Sequence, residues 1–184
     1  MKLIRLIKIF GLLIIFSLNV SCEKNNDVII VIQNENHKNF LLNYILHNGY
    51  NVEIIDNGNN LTMKNTTMEM WLDILNILKQ KMNIISTNIA NVNTTQTDKG
   101  GAYIRQVFSF TVENGFEIID DIHSEKRFVY DPQHPDAIKN GEKQGFVEYS
   151  NIDIMAETVL LIEVNTLYES IANYLRNNYK NVIF

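Results

Sequence analysis

Asp131, His134 and Asp136 form the tightest group of titratable side chains in the sequence. Their spacing of three and two residues could suit a metal ion, which needs several converging ligands. No second ligand cluster stands elsewhere in the sequence, and Pro132 and Pro135 stiffen the same segment. The pattern therefore favours a tight turn in which the Asp and His side chains bond to nearby backbone amides.

The other residues with catalytic chemistry lack partners in the sequence. The histidines outside that turn are isolated, and the serines lack the strand-to-helix glycine elbow of hydrolases. Loop 33–37 has no glycine, so its backbone cannot wrap a phosphate as a dinucleotide-binding loop does. Glu163 and Glu169 lie on a helical segment, where they are expected to tune helix pairing. We therefore predict that the protein is not an enzyme and has no catalytic residue, metal or cofactor.

Composition sets the broad class. The chain has 184 residues, is 46% apolar and carries a formal net charge of −5. This charge gives no polycationic surface for nucleic acid. Without an export signal the chain would still be long enough for one domain with a real core.

The N-terminus predicts export and lipid attachment. Lys2, Arg5 and Lys8 precede the uncharged run 9–21, which is too short to span a bilayer and fits a secretory leader. The run ends in Leu-Asn-Val-Ser before Cys22, and this resembles a bacterial lipobox. In lipoproteins that cysteine becomes the lipid-modified first residue of the mature chain. An ordinary signal peptide with an incidental cysteine is the alternative.

Residues 27–57 read as a strand, a helix and a strand. The β-branched run 27–32 is typical of a buried strand. A short helical pattern from Phe40 to His47 ends at Asn48 and Gly49, where glycine suits the left-handed stop. Residues 50–55 alternate as a second strand, and 59–67 read as a polar connector.

Two heptad seams predict two long helices. Thr66 or Thr67 could cap the first, with Glu69 in reach of a capping box. Apolar residues then recur at alternating spacings of four and three, the repeat of a coiled coil. An isolated helix of this length is marginal in water, so we expect the two helices to lie side by side. The first seam is Trp71, Leu75, Leu78, Met82, Ile85, Ile89 and Val92, and the second is Leu160, Val164, Leu167, Ile171 and Tyr174.

The region between the helices predicts a small antiparallel sheet. Residues 103–112 are aromatic and β-branched, and Asn114 with Gly115 is a strong hairpin signal. The runs 116–119, 127–130 and 146–149 read as further short strands.

Four sequence blocks carry a resemblance to a known family. They are 82–95, with its Asn-Ile-Ala-Asn box; 100–106, Gly-Gly-Ala-Tyr-Ile-Arg-Gln; 128–137, Phe-Val-Tyr-Asp-Pro-Gln-His-Pro-Asp-Ala; and 145–153 together with 168–172. In this order, from about residue 68 to the C-terminus, they resemble the proximal-rod proteins of the flagellar basal body, the FlgC type. The leader and the strand–helix–strand insert are absent from ordinary members, so the chain is a divergent one.

The resemblance implies a structural subunit of the proximal rod, which assembles through coiled-coil helices for motility. The expected partners are other rod proteins and further copies of the chain, with no nucleic acid and no small-molecule substrate. The loop Asp131, Pro132, His134, Pro135 and Asp136 would set the registry between subunits. The implied assembly interface comprises Trp71, Leu75, Leu78, Met82, Ile85, Asn88, Ile89, Asn91, Leu160, Val164, Leu167 and Ile171.

The expected fold class is α+β, with paired terminal helices, a β-rich middle and a small N-terminal insert. The predicted segments are a signal peptide 1–21, an extension and connector 22–67, a rod helix 68–96, a β-rich middle 97–150 and a second rod helix 151–184. The expected location is the periplasm, at the basal body, anchored to a membrane through Cys22. Two other functions remain open: a periplasmic lipoprotein adaptor that keeps the rod-protein fold and binds a flagellar or envelope partner, or a ligand-binding lipoprotein that uses residues 27–57.

Overall fold

The computed structural model describes residues 5–9, 12–16, 20–23, 27–31, 35–57, 60–111 and 114–179, the first four ranges by their backbone alone. Within these ranges the chain has three helices and several small groups of antiparallel strands, so the predicted mixed α+β class is confirmed. The chain forms two compact units, one of Met1–Lys79 with Val164–Phe184, the other of Gln80–Glu163. The boundary falls inside two helices, and each unit is described separately below.

The first unit begins with two pairs of strands. Strands β1 (Arg5–Ile9) and β2 (Leu12–Phe16) pair antiparallel, and β3 (Val20–Glu23) pairs with β4 (Asp27–Val31). Cys22 lies in β3. Cleavage before this cysteine would remove β1, β2 and the first two residues of β3. The signal peptide 1–21 stays a prediction.

The insert is a four-stranded sheet with one helix. After β4 comes α1 (Glu35–His47), then β5 (Glu53–Asp56) and β6 (Asn60–Lys64), in the sheet order β3-β4-β6-β5. Strands β4 and β5 both run antiparallel to β6, so they are parallel to each other and α1 is their crossover. At the end of α1, Gly49 has φ +68°, the left-handed stop that its position after Asn48 predicts.

Strand β6 corrects the sequence-based interpretation of 59–67 as a polar connector. It lies between β4 and β5, and Leu61 and Met63 are fully buried. These two residues alternate with polar ones, which is the period of a strand with one buried face. The amide and hydroxyl residues around them hide this alternation in the sequence.

Helix α2 (Met68–Ala90) starts where the capping pattern predicts. The Thr67 Oγ1 accepts a hydrogen bond from the Met70 backbone N–H at 3.2 Å, so Thr67 is the N-cap. The helix ends before Val92, the last residue of the predicted seam, and well before the predicted boundary at residue 96. In the first unit the face of α2 that carries Trp71, Leu75 and Leu78 is buried.

Helix α3 (Ile154–Asn178) is capped by Asp153, whose Oδ1 accepts hydrogen bonds from the backbone N–H groups of Met155 and Ala156. In the first unit it contacts α2: the rings of Trp71 and Tyr174 meet edge to face at 5.9 Å. Both helices therefore contribute to one core there. Among the described residues, no helix combines the length and apolar character needed to cross a membrane.

The second unit contains two separate hairpin-like sheets, not the single sheet that the sequence predicts. Strand β7 (Gln106–Thr111) pairs with β8 (Gly115–Asp120), and β9 (Lys126–Tyr130) pairs with β10 (Phe146–Ser150). The hairpin at Asn114 and Gly115 is confirmed, with Gly115 at φ +72°. Each sheet has two strands, so each depends on packing against other elements for stability.

Candidate assembly site

Asn88 is buried in the second unit, with 1% of its surface exposed, although it lies near the end of α2. Its Oδ1 accepts hydrogen bonds from the Gln106 backbone N–H at 2.9 Å and from the Tyr103 hydroxyl at 3.0 Å. Its Nδ2 donates to the Gln106 carbonyl oxygen at 2.8 Å and to Glu157 Oε2 at 3.4 Å. The side-chain amide thus bonds to the outer edge of β7 as a neighbouring strand would.

Glu157 brings a buried carboxylate from α3 to the same cluster. Only 3% of its side chain is exposed, and its Oε1 accepts bonds from Arg105 Nε and Nη2, each at 2.6 Å. The Arg105 Nη1 also lies 3.6 Å from Asp121 Oδ2. Such charge-assisted bonds offset the cost of removing the carboxylate from water. We call Asn88, Tyr103, Arg105, Gln106 and Glu157 the polar anchor, because it ties α2, α3 and β7 together.

Two pKa shifts accompany the polar anchor. Burial, followed by the nearby charges of Asp120 and Glu157, raises the pKa of the Tyr103 hydroxyl, which therefore stays protonated and donates to Asn88. Hydrogen bonds from Lys99 Nζ at 3.1 Å and from Gln106 Nε2 at 3.3 Å lower the pKa of Asp120. Both shifts favour the protonation states that make these bonds.

The second amide of the Asn-Ile-Ala-Asn box also acts within the chain. The Asn91 Nδ2 donates to the Thr87 carbonyl oxygen at 2.9 Å, and its Oδ1 accepts from the Thr94 hydroxyl at 3.0 Å. These bonds close the end of α2. The amides of Asn88 and Asn91 bond inside the chain, and direct contacts of either residue with a neighbouring chain stay a prediction.

The segment from Asp131 to Asp136 is a turn built on its own side chains. The Asp131 Oδ1 accepts from the Gln133 backbone N–H at 3.2 Å, and the His134 Nδ1 accepts from the Asp136 N–H at 3.1 Å. The Thr95 hydroxyl donates to Asp136 Oδ2 at 2.7 Å. The predicted bonding of Asp and His side chains to nearby amides is confirmed. In the part of the chain that is described, no three His, Cys, Asp or Glu side chains converge on a possible metal position.

The base of this turn requires glycine. The Asp131 N–H donates to the Gly145 carbonyl oxygen at 2.9 Å, and the Gly145 N–H donates to the Ile138 carbonyl oxygen at 2.8 Å. Gly145 has φ +82°, and a Cβ there would lie 2.7 Å from Cε2 of the Tyr130 ring. Asp131, Pro132, Pro135 and Asp136 are exposed and His134 is half-buried, so the turn presents a fixed surface.

The side chains predicted to form the assembly interface are mostly buried inside the chain itself. Their packing within the two units explains their heptad spacing without a partner chain. Contacts that they make between chains stay a prediction. Trp71, Leu75, Leu78, Ile85, Asn88, Val164, Leu167 and Ile171 are buried, and Met82, Ile89, Asn91 and Leu160 are half-buried.

Sequence reasoning missed Glu157, and it used Tyr103, Arg105 and Gln106 only as letters of a motif. Their bonds to Asn88 and to each other join residues 15 to 69 positions apart, and periodicity does not report such distances. One signal was present. Asn88 follows Ile84 and Ile85 by four and three residues, so an amide lies on the apolar face of a helix, where it needs buried partners.

Other candidates for chemistry are distributed singly. Glu169 lies 3.8 Å from Arg176 on the same helix, and Glu163 faces Lys81. In the first unit the Tyr50 hydroxyl donates to the Asp73 carboxylate and so joins the insert to α2. These contacts hold elements together, and among the described residues they form no arrangement of nucleophile and base.

The chain is similar to a known flagellar protein. The flagellar basal-body rod protein FlgC of Borreliella burgdorferi is 34% identical over 112 residues, which make up 49% of this chain and 74% of that protein. No protein-family model matches the chain.

Proposed function

The chain belongs to the FlgC family of flagellar basal-body rod proteins, and from this we propose that it is a structural subunit of the bacterial flagellar rod. The observation that carries the proposal is the 34% identity over 74% of a rod protein. The polar anchor agrees with a structural role, because the buried Asn88 amide and Glu157 carboxylate bond to half-buried partners and hold helices and strands in place. Motility would then depend on this chain because the chain would form part of the rod.

The two helices would supply the contacts along the rod. The half-buried apolar side chains Met82, Ile89 and Leu160 keep exposed area that a neighbouring helix could cover. The fully buried seam residues would act by keeping the helices straight and paired. Coiled-coil pairing between chains is thus proposed for the partly exposed part of the seam.

The exposed turn 131–136 would set the registry between subunits. Replacing Pro132 and Pro135 by glycine should leave the folded chain stable while lowering its incorporation into rods, because a loosened turn loses its fixed surface. The matched control is Asn140→Ala, an exposed position in the adjoining segment, which should incorporate normally. Normal incorporation of the double glycine variant would exclude a registry role.

Basal-body isolation tests the proposed function directly. Cells that express an epitope-tagged full chain are fractionated, and purified basal bodies are probed for the tag. We expect the chain to remain with the rod after the membranes are extracted by detergent. If the chain were completely lost with the membrane fraction, the proposal that it is a rod subunit would be rejected.

We also propose that Cys22 carries a lipid and holds the chain on a membrane from the periplasmic side. The leader pattern and the single cysteine support this. Several acyl chains would make binding almost permanent, at about 0.8 kcal/mol per buried methylene. Metabolic labelling with a radioactive fatty acid should mark the natural chain and not Cys22→Ser. Equal labelling of the natural chain and of Cys22→Ser would reject Cys22 as the site of lipid attachment.

A further inference from the structure

Asparagine is followed directly by glycine at four places in the sequence, Asn48, Asn57, Asn114 and Asn140. In such a pair the backbone nitrogen of the glycine can attack the side-chain carbonyl carbon of the asparagine, because glycine has no Cβ to block the approach. In a folded chain the nitrogen and the amide must also be free of hydrogen bonds, and water must reach both groups. Gly58 lies outside the described residues, so the structure compares the other pairs.

Asn140 and Gly141 meet these conditions. Both residues are exposed, in the loop between the turn 131–136 and β10. Within the described part of the chain the Gly141 N–H donates no hydrogen bond, and the Asn140 side-chain amide neither donates nor accepts one. A Cβ placed on Gly141 would meet nothing within 4 Å, so the space beside its backbone is open. The nucleophile and the carbonyl carbon are therefore both free to react.

The other two described pairs do not meet them. The Asn48 Nδ2 donates to the Tyr44 carbonyl oxygen at 2.8 Å, and the Gly49 N–H donates to the Leu46 carbonyl oxygen at 3.3 Å. These bonds hold both reacting groups at the end of α1. Gly115 is buried as the first residue of β8, so base and water have little access to its nitrogen. The fold therefore protects these two pairs and leaves the third open.

We propose that Asn140 is a site of spontaneous deamidation in the folded chain. The Gly141 nitrogen loses its proton to base and bonds to the Asn140 Cγ, the bond from Cγ to the amide nitrogen breaks, and that nitrogen takes protons from water and leaves as ammonia. Water then opens the resulting cyclic imide. Opening at one carbonyl gives aspartate, and opening at the other gives isoaspartate, whose backbone runs through the side-chain carbon. The reaction needs only base and water.

The loop 139–144 can accept either product, because its ends are held independently of Asn140. The Ile138 N–H donates to the Phe146 carbonyl oxygen at 2.9 Å, and the Ile138 carbonyl oxygen accepts from the Gly145 N–H at 2.8 Å. Either product adds one negative charge to the exposed surface next to the turn 131–136. The inference requires only the folded chain, so it stands independently of the proposed function.

Peptide mapping by mass spectrometry tests the proposal on the full-length chain, kept in a mild detergent. The folded chain is incubated at mildly alkaline pH in water labelled with heavy oxygen, and each Asn-Gly peptide is followed over time. We expect Asn140 to take up the label, as aspartate and isoaspartate, at least about tenfold faster than Asn48, which must first lose two hydrogen bonds. Conversion of Asn140 no faster than that of Asn48 or Asn114 overturns the proposal.

A parallel incubation in guanidinium chloride separates the effect of the fold from that of the sequence. Unfolding frees both pairs, so Asn48 and Asn140 should then convert at nearly equal rates. An equally strong preference for Asn140 in the denaturant would show that its flanking residues cause the preference, and would overturn the selection by the fold.

The variant Gly141→Ala tests the nucleophile. Its methyl group has open space in the loop but hinders the approach of the nitrogen to the Asn140 side chain. We expect slower conversion of Asn140 in this variant, both folded and in the denaturant, so the result does not depend on how well the variant folds. Unchanged conversion, without isoaspartate, would show direct hydrolysis of the amide and would overturn the proposed reaction.

Discussion

At the scale of single residues, we expect the second unit to depend strongly on Asn88. It bonds to a strand edge, a tyrosine hydroxyl and a buried carboxylate from one position on α2. Each of these groups would be left without its partner if the amide were removed. The cost of leaving buried polar groups unbonded exceeds the worth of the bonds themselves.

We therefore expect Asn88→Ala to lower the free energy of unfolding by about 2–3 kcal/mol. The matched control is Asn83→Ala, an exposed asparagine on the same helix, which should change it by less than about 0.5 kcal/mol. Urea denaturation followed by circular dichroism measures both. Equal small effects would show that the polar anchor does not support the unit.

Tyr50 gives a prediction on pH. Burial, and then its hydrogen bond to Asp73, raises the pKa of its hydroxyl well above the ordinary value of 10.0. Above pH 10 the unfolded chain loses this proton while the folded chain keeps it, so stability falls as pH rises. Tyr50→Phe removes that contribution, and its unfolding free energy should fall less steeply above pH 10, by up to about 1.4 kcal/mol per pH unit. Identical slopes in the two proteins would contradict the assigned environment of Tyr50.

At the scale of elements, the turn between β9 and β10 depends on Gly145. Gly141 lies in the same loop and also has a positive φ, +88°, but a Cβ there would meet nothing within 4 Å. Gly141→Ala should cost about 1 kcal/mol from backbone strain alone. Gly145→Ala should cost about 1 kcal/mol more, because its Cβ must displace the Tyr130 ring from Phe146.

Thermal unfolding of the two alanine variants separates these contributions. The difference between them isolates the contact with Tyr130, since the backbone strain is common to both. If Gly145→Ala were as stable as Gly141→Ala, the turn would not be packed against Tyr130 as described.

Local signals predict the ends of elements better than their long-range partners. Thr67 and Gly49 each act within a few residues, and the structure has the predicted cap or stop at each position. Strand β6 was hidden because its buried Leu61 and Met63 are separated by threonine and flanked by asparagine. The bonds of the polar anchor could not be predicted, because they depend on how distant segments fold together.

At the scale of the whole molecule, most of the described seam residues are buried within the chain, whereas the turn 131–136 is largely exposed. Substitution of buried seam residues such as Leu78 or Ile85 by aspartate would unfold the chain as well as prevent assembly, because a buried unpaired charge is costly. Assembly is better tested through exposed positions. The rod function itself is best tested in the cell.

The most direct measurement is electron cryotomography of cells that lack the gene, with the natural gene restored as the control. If the chain is a structural subunit of the rod, basal bodies in the deletion strain should lack a continuous rod and the cells should lose motility. Restoring the gene should return both. Complete rods and normal motility in the deletion strain would contradict the account.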